Sequence, residues 1–418
     1  MDDAGRQGGD PAKMRAPVLQ PISAGLLAAL IGFASTFALV LQGFVAVGAT
    51  AAQAASGLLA VCVVKGVVAI WLSRRSRMPI SIAWSTPGAA LLVATGAFAG
   101  GFPVAAGAFL AASGLVVLAG LVRPFGRAVE RIPVPLASAM LAGILLPLCL
   151  APARAVLLDP ALALPIVATW AIALRLARPF AVPLAVVVTI IAVIATSPLT
   201  DMDAALLAPR PVFVVPVFTL EAMIGLAIPL FLVTMASQNV PGLAVLAANG
   251  YRPAVSPIFV ATGVASAVAS VAGGHLVNLA AITAALCAGP DAHPDPAQRW
   301  IAAAAAGVAY ILLGLSAGLA AAFIAATPPI LIEAVAGLAL LASFGAAIQA
   351  ALVREDDRLA ALVTFVTTAS GAAFLGIGAP FWGLLAGGAM MAIMRGGRQR
   401  ADAGRGRTPA PTSESPDE

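Results

Sequence analysis

The chain has 418 residues, of which 61% are hydrophobic and only 10% are charged. A soluble globular domain carries roughly 25% charged residues, so this composition excludes a soluble protein and indicates one embedded in a lipid bilayer. The formal net charge of +5 reflects where arginines lie relative to the membrane, and nucleic-acid binding is not predicted from it.

Residues 1–20 form a charged segment that reads as a cytoplasmic N-terminal tail. A full apolar span follows it rather than a short signal core, so no cleaved signal peptide is expected. Apolar runs of about 20 residues, the length of a membrane-spanning helix, then recur as far as Met394. Breaks at Gly, Pro and charged residues divide these runs into fourteen predicted spans: 21–42, 52–72, 79–96, 103–121, 133–151, 160–176, 180–197, 219–239, 253–272, 275–288, 300–322, 327–349, 359–376 and 379–394.

The basic residues predict the orientation of these spans. With fourteen crossings and a cytoplasmic N-terminus, every even-numbered joint is cytoplasmic and should collect arginines. Only Arg154 and Arg210 fall on the opposite side. The arginines at the cytoplasmic joints are Arg74, Arg75, Arg77, Arg123, Arg127, Arg131, Arg175, Arg178, Arg252, Arg299, Arg354 and Arg358, followed by those of the tail. We therefore expect a multi-pass protein of a bacterial-type inner membrane with both termini in the cytoplasm.

The spans divide into two related halves, residues 21–198 and 219–394, joined by an extracytoplasmic connection at 199–218. The first span of each half ends in a glutamine, Gln42 and Gln238. Seven spans is an odd number, so the second half must be inverted relative to the first, an arrangement common in secondary transporters. Residues 395–418, rich in Arg, Gly, Pro and Ser, read as a disordered cytoplasmic tail.

The third span of each half is interrupted, at residues 85–88 and 273–278. Each interruption predicts an extended stretch followed by a half-helix, with Thr86 and Asn278 as the caps and Pro87 in the first helical position. Irregular backbone survives at membrane depth only inside protein or beside a cavity, and facing helix N-termini would hold a carboxylate there. The alternative is that Pro87 kinks a packed helix and that the glycines let two helices approach closely.

Polar side chains in the first and eighth spans suggest hydrogen-bond donors for such an anion. Their amides and hydroxyls would bind a carboxylate without fixed charge, although the hydroxyls could instead bond to the preceding helical turn. Trp84, just before the first break, could stack on an aromatic ring or serve only as core packing. The polar residues concerned are Ser35, Thr36, Gln42, Thr234, Ser237, Gln238 and Asn239, the last two just before a helix break predicted at Pro241.

Three titratable groups are candidates for carrying a proton: His275, Glu221 and Glu333. The alternatives are a polar residue at a wet helix end for His275 and an acidic helix N-terminus for each glutamate. Lys65 lies deep in the second span, and its stem is expected to snorkel toward the cytoplasmic face near Trp71. A counter-ion for the substrate is the other interpretation of Lys65.

Other chemistry is not indicated. Cys62, Cys149 and Cys287 lie in apolar segments without metal-ligand spacing, so they read as small buried hydrophobes, and no disulfide, metal or cofactor is expected. The chain has no P-loop, no H-E-x-x-H pair and no G-x-S-x-G elbow, which argues against an enzyme. No ring of like charges lines any span, which argues against a channel.

Several long strings in the chain resemble the benzoate/proton symporter (BenE) family. They are Met78-Pro79 with Ala83-Trp84-Ser85-Thr86-Pro87-Gly88-Ala89-Ala90-Leu91-Leu92, then Pro229-Leu230-Phe231 through Gln238-Asn239-Val240-Pro241-Gly242, Ala280-Ala281-Ile282-Thr283-Ala284-Ala285, Ala292-His293-Pro294-Asp295 with Gln298-Arg299-Trp300, and Phe381-Trp382-Gly383-Leu384. The resemblance covers essentially residues 21–394. Lys65, His275 and Asn278 depart from the family's pattern, which implies less polar or different residues there.

The resemblance implies the fourteen-span fold of the uracil transporter and its anion-carrying relatives. In that fold, spans 1–4 and 8–11 form a core domain, spans 5–7 and 12–14 form a gate domain, and such carriers are often homodimers. It further implies import of benzoate or a similar aromatic carboxylate with a proton by alternating access, the alternative being a carrier for another small organic anion or a nucleobase. The predicted substrate site lies between spans 1, 3, 8 and 10: Ser35, Thr36, Gln42, Trp84, Ser85, Thr86, Pro87, Gly88, Thr234, Ser237, Gln238, Asn239, His275, Asn278 and Leu279.

Overall fold

The computed structural model of the chain describes residues 19–122, 124, 133–196, 210–281 and 283–405, with side chains as far as Arg395. These residues form a mostly helical, polytopic membrane protein, as its composition predicts. Eight of the described helices are long and apolar enough to cross a membrane. The helices are α1 (Leu19–Ala46), α2 (Ala51–Ser76), α3 (Thr86–Thr95), α4 (Phe102–Leu121), α5 (Val134–Leu158), α6 (Pro160–Leu176), α7 (Ala181–Thr196), α8 (Leu220–Ala248), α9 (Val255–Ser270), α10 (Ala284–Ala288), α11 (Trp300–Gly314), α12 (Ala317–Ala326), α13 (Pro329–Leu352), α14 (Arg358–Ala369) and α15 (Ala379–Arg405).

The helices pack in two groups. In one group α5 lies along α13 and α14, with α6, α7 and α15 against them. In the other, α2 lies along α11, α4 along α9, and α1 against α11 and α3. The groups meet where α1 touches α13 and where α3 touches α5.

Close packing of α2 on α11 depends on two facing glycines. A Cβ on Gly66 would lie 2.5 Å from the carbonyl oxygen of Gly307, and a Cβ on Gly307 would lie 2.7 Å from that of Gly66. Both separations are far below van der Waals contact, so only glycine permits this approach of the two backbones. Small residues at such crossings are the usual means of packing helices in lipid. This contact holds α11 close to α2 on both sides of Gly66.

Two short strands pair in the interior of the second helix group. β1 (Ile82–Trp84) pairs antiparallel with β2 (Val277–Leu279), and Ala83 stands opposite Asn278. Further backbone bonds extend the pairing at both ends, from Ser85 N to Leu276 O and from Ala280 N to Ser81 O, each 2.9 Å. Backbone groups in an apolar interior must be hydrogen-bonded, and here two interrupted segments satisfy one another. The prediction of an extended stretch before each short helix is confirmed.

The predicted break at Pro241 is wrong, because α8 continues through it to Ala248. Two wider turns in the π-helical conformation, Met223–Ala227 and Met235–Asn239, interrupt α8. Each is followed by a proline, Pro229 or Pro241. In a regular helix, proline has no N–H to donate to the carbonyl four residues earlier, and its ring clashes with that carbonyl. The wider turns fall where that clash would occur, so the helix accommodates both prolines.

Several other boundaries differ from the predicted spans. Predicted span 11 is divided into α11 and α12 around Leu315 and Ser316, and span 13 ends early, at Ala369. α15 runs past the predicted end at Met394 to Arg405. Arg395, in this extension, donates to Asp357 at 3.2 Å and so ties α15 to the turn before α14.

Candidate functional site

The turn from β1 into α3 is anchored by Ser85. Its Oγ accepts from the backbone N–H of Gly88 at 3.1 Å and lies 2.7 Å from Oγ1 of Thr234 on α8. Ser85 is therefore the N-cap, and the prediction of Thr86 as the cap is wrong: Thr86 is the first helical residue and Pro87 the second. Since Ser85 performs the capping, the hydroxyl of Thr86 is left free to face the cavity described below.

β2 is fixed to α8 in a corresponding way. Oδ1 of Asn239 accepts from the backbone N–H of Leu279 at 3.0 Å. Asn278 lies within the strand, and its Nδ2 donates to the carbonyl of Leu279 at 2.7 Å. The prediction that Asn278 caps a helix is therefore wrong. The helix that follows, α10, is a single turn beginning at Ala284, after Thr283, so it does not supply the extended helix dipole that we predicted.

A buried cavity of about 80 Å³ lies where the two strands meet α1, α2, α8 and α11. Pockets for drug-sized ligands are several times larger. Its walls combine two aromatic side chains, one ammonium group and several hydroxyl and amide groups. The lining residues are Ile31, Gly32, Ser35, Thr36, Lys65, Ala83, Trp84, Thr86, Gln238, Ala280, Ala281, Thr283 and Tyr310.

Three polar side chains of the lining are available to a ligand. Ser35, Thr86 and Gln238 make no side-chain hydrogen bond to any described residue, although Gln238 is only 7% exposed. A buried amide or hydroxyl without a partner is costly, so such groups are expected to bind water or a ligand. Thr36 differs, because its hydroxyl bonds back to Gly32 O at 2.9 Å, as the alternative interpretation of these hydroxyls expected.

Trp84 is fixed in orientation by the same threonine. Its Nε1 donates to Oγ1 of Thr36 at 2.9 Å, and the whole side chain is buried. The indole also contacts Phe33 and Tyr310, with ring centroids 5.8 and 6.2 Å away. Trp84 is thus both a packed residue and a wall of the cavity.

Lys65 lies inside this cavity, and the prediction that it snorkels to the membrane surface is wrong. Its Nζ is 3.2 Å from the centroid of the Trp84 ring and 3.4 Å from that of the Tyr310 ring. The residue is 1% exposed. The Lys65 side chain packs between the two aromatic rings, and this contact holds it in the protein interior instead of extended toward water. Trp84 and Tyr310 come from different segments, so the sequence signal available was only a lysine within a long apolar run.

Other predicted site residues lie outside the lining of this cavity. Several of them support the two strands and their junctions with α8, as described for Ser85, Thr234, Asn239 and Leu279. Gln42 is partly buried, and its Oε1 has no partner among the described residues. The predicted residues that do not line the cavity are Gln42, Ser85, Pro87, Gly88, Thr234, Ser237, Asn239, His275, Asn278 and Leu279.

His275 is fully buried, so the interpretation as a polar residue at a wet helix end is wrong. Its Nδ1 lies 3.0 Å from the carbonyl of Leu276, and Nε2 has no partner among the described residues. The ring lies beside Phe44 and Phe109, with centroids 5.4 and 6.5 Å away. Because a carbonyl only accepts, Nδ1 carries the hydrogen of this bond.

The two candidate glutamates lie apart from the cavity around Lys65. Glu333 lines a different cavity of about 290 Å³, which also contains Arg154 and borders α3, α5 and α13. Glu221, at the start of α8, lies against the turn at Gly376. Both side chains are partly exposed. Neither touches the lining of the smaller cavity.

Comparison with known proteins decides the family. The model of the BenE family, described as benzoate membrane transport protein, matches residues 17–393. The chain belongs to the BenE family. It is a membrane transporter and not an enzyme, as the sequence predicts. The matched residues include both helix groups and both strands.

Two curated relatives extend over nearly the whole chain. The inner membrane protein YdcO of Escherichia coli is 42% identical over 371 residues, which is 89% of this chain and 95% of the relative. The benzoate membrane transport protein of Acinetobacter baylyi is 32% identical over 369 residues, covering 87% of this chain and 92% of the relative. These two identities are high enough to show common ancestry along the full membrane region.

Solved structures of other transporters share the fold. The transmembrane domain of a cyanobacterial bicarbonate transporter, BicA, aligns with a TM-score of 0.57 at 16% identity, over 90% of this chain and 98% of that domain. SLC26A9 aligns with a TM-score of 0.61 at 13% identity, over 90% of this chain and 65% of SLC26A9. At these identities the likeness concerns the fold alone.

Proposed function

We propose that this BenE-family transporter imports benzoate or a similar aromatic carboxylate together with a proton, by alternating access. The observation that carries the proposal is the cavity beside the paired strands β1 and β2. It combines two ring faces, Trp84 and Tyr310, with free hydrogen-bonding groups and a lysine. The relative from Acinetobacter baylyi is named a benzoate membrane transport protein, which supports this substrate class.

The cavity matches both parts of an aromatic carboxylate. Nζ of Lys65 occupies the space between the Trp84 and Tyr310 faces. Aromatic rings also favour edge-on contact, so the parts of Trp84 and Tyr310 that line the cavity beside Lys65 suit the apolar half of the ligand. The hydroxyls of Ser35 and Thr86 and the amide of Gln238 suit the carboxylate oxygens. All five side chains line one cavity, so a single small ligand would reach both kinds of group.

The same proposal includes the fourteen-segment architecture. We assign α1, α2, β1–α3, α4, α5, α6 and α7 to the first half, residues 21–198, and the segments from α8 to α15 to an inverted second half, residues 219–394. The antiparallel pairing of β1 with β2 supports the inversion, because corresponding strands run in opposite directions. The helix group containing α1–α4 would be the core domain and the group containing α5 and α13 the gate.

Orientation and assembly are part of the proposal. The arginine distribution supports an inner-membrane carrier with both termini cytoplasmic, tails at 1–20 and 395–418, and an outer connection at 199–218. Most of the N-terminal tail, residues 1–18, and of the connection, residues 199–209, lie outside the described residues. A homodimer is proposed from the family resemblance alone.

Proton coupling is proposed because a carboxylate imported with one proton moves no net charge. His275, Glu221 and Glu333 stay predicted proton carriers. None of the three lines the cavity. A carrier among them would have to act on the substrate through other groups, so a closer titratable group is considered below.

Uptake into proteoliposomes tests the substrate class. Purified protein would be reconstituted and supplied in turn with labelled benzoate, a nucleobase and an aliphatic dicarboxylate. Protein-free liposomes must be subtracted, because undissociated benzoic acid crosses lipid unaided. We expect saturable uptake of benzoate that unlabelled ring carboxylates inhibit. Uptake of a nucleobase or dicarboxylate in place of benzoate would overturn the proposed substrate while leaving the fold unchanged.

A further inference from the structure

The position of Lys65 indicates a role beyond cavity lining. We infer that Lys65 is the counter-charge for the substrate carboxylate and carries the coupled proton, being a neutral amine in the empty cavity and an ammonium when the anion is bound. This inference rests on the proposed function, since it concerns the same cavity and the same ligand. It assigns the proton to a residue on α2, outside the four segments that the sequence analysis associates with substrate.

The Lys65 side chain is buried between aromatic rings. Nζ lies between two aromatic faces, 3.2 Å from the Trp84 centroid and 3.4 Å from the Tyr310 centroid. No carboxylate among the described residues lies within ion-pair distance of it. Ion pairs of the described part lie elsewhere, where Arg354, Arg358 and Arg395 pair with acids near the start of α14.

The charge of an unpaired buried lysine depends on its surroundings. Burial disfavours the charged form of an amine, and ring faces compensate for only part of the lost hydration. An ammonium in the empty cavity would therefore be a buried charge without an opposite charge beside it. A carboxylate entering the cavity supplies the missing opposite charge and favours the ammonium. Binding of the anion and binding of a proton are thereby linked at a single nitrogen.

Other titratable groups near Lys65 are candidates for pairing with its ammonium. Those nearest to Lys65 are Cys62, one turn earlier on α2, Tyr310 on α11 and His275 before β2. The other polar side chains that line the cavity present indole, hydroxyl or amide groups. Among them, Thr36 on α1 is already bonded to Trp84 on β1. None of these groups is a carboxylate. The ligand is thus the one strong source of negative charge available to the ammonium.

The transport cycle that follows balances protons and charge. On the side with more protons, the Lys65 amine takes a proton from water and the resulting ammonium pairs with the carboxylate. The paired site is electrically neutral, so movement of the core against the gate transfers no net charge. On the other side the carboxylate leaves, the N–H bond breaks, and the proton returns to water. The N–H bond forms as an O–H bond of hydronium breaks, and the reverse exchange takes place on release.

Two substitutions at Lys65 separate the two roles. In Lys65→Arg the guanidinium stays protonated, so the variant should bind benzoate and exchange external for internal benzoate while losing gradient-driven net uptake. In Lys65→Met the charge is absent, so benzoate affinity should fall about 100-fold, the scale for losing one member of a buried charge pair. Binding of benzamide, an uncharged analogue, should be retained in Lys65→Met.

Arg77→Gln is the matched control, because Arg77 lies over the ring of Trp300 at 4.6 Å but is exposed and outside the cavity. It should keep wild-type affinity and coupling. The inference is overturned if Lys65→Met binds benzoate within about threefold of wild type, or if Lys65→Arg retains gradient-driven uptake. If Lys65→Met does not fold, Lys65→Arg alone decides. Failure of the wild type to carry benzoate rejects the proposed substrate instead, and the variants are then scored with the anion that it does carry.

Discussion

The indole Nε1 of Trp84 donates a hydrogen bond to Oγ1 of Thr36 at 2.9 Å, and this bond sets the ring face that Lys65 meets. Trp84 belongs to a strand and Thr36 to a long helix, so the bond joins two segments that the chain separates widely. The same threonine bonds back to Gly32. Thr36 is thus a positioning residue whose effect on a ligand passes through the indole.

Thr36→Val tests that positioning. Valine keeps the shape but removes the acceptor for the indole, and a hydrogen bond of this kind is worth about 1 kcal/mol, or roughly fivefold in affinity. We expect benzoate to bind about fivefold more weakly, measured by titration of purified protein. Thr95→Val is the matched control, since Thr95 also bonds back one turn, to Leu91, but lies outside the cavity. Equal affinity losses in the two variants would contradict the positioning role.

Ser85→Ala should lower stability more than it lowers affinity. The substitution removes the N-cap of α3 and the bond to Thr234 together. Loss of a cap costs about 1 kcal/mol and interhelical bonds in membrane proteins average about 0.6 kcal/mol. We therefore expect a fall in Tm measured by thermal unfolding in detergent. Ser270→Ala, which removes only a bond to Ser266 one turn earlier, serves as the control. A Tm unchanged from wild type would show that the junction does not depend on Ser85.

Gly307→Ala should disrupt the α2–α11 crossing. A methyl group there would approach Gly66 O to 2.7 Å, so the two helices must separate. Overpacking of this kind costs about 1–3 kcal/mol. The separation should also weaken the contact between the Tyr310 ring and Lys65, because Tyr310 lies one turn after Gly307 on α11. Gly114→Ala on α4 is the control, since nothing lies within 4 Å of an added Cβ there. Comparable loss of Tm in both variants would refute the close-approach argument.

His275→Gln distinguishes the two proposed locations of the coupled proton. If Lys65 carries the proton, the variant should keep gradient-stimulated uptake, because His275 lies outside the cavity lining. The measurement is the ratio of uptake rates with and without an inward proton gradient. A variant that still exchanges benzoate but no longer responds to the gradient would assign the proton to His275 instead.

Much of the architecture could be predicted from the sequence. Apolar runs locate the helices, and the polar interruptions near Ser85 and Asn278 predict the extended stretches, because buried backbone without a helix needs another partner. The finer predictions at these breaks were wrong for a local reason. Ser85 rather than Thr86 reaches the N–H of Gly88, and Asn278 is held in the strand ladder.

The candidate site was predicted only in part, because its decisive contacts are tertiary. Ser35, Thr36, Trp84, Thr86 and Gln238 were predicted site residues and do line the cavity. Lys65 read as a snorkelling side chain because nothing in its own helix shows the ring faces that hold it. Tyr310 and Thr283 also line the cavity. Tyr310 comes from an apolar helix without a distinctive local pattern, and the string around Thr283 resembles the family without showing that Thr283 faces a cavity. A helix end is predicted at Pro241, but the wider π-helical turn just before it lets α8 continue.

Proton-coupled benzoate import is tested by the initial rate of labelled benzoate uptake into proteoliposomes with an alkaline interior, compared with proteoliposomes of equal internal and external pH. Protein-free liposomes under both conditions provide the background to subtract. For proton-coupled transport of benzoate, we expect a saturable, protein-dependent rate that rises several-fold with the gradient. A protein-dependent rate of zero under both conditions, or one that ignores the gradient, would contradict it.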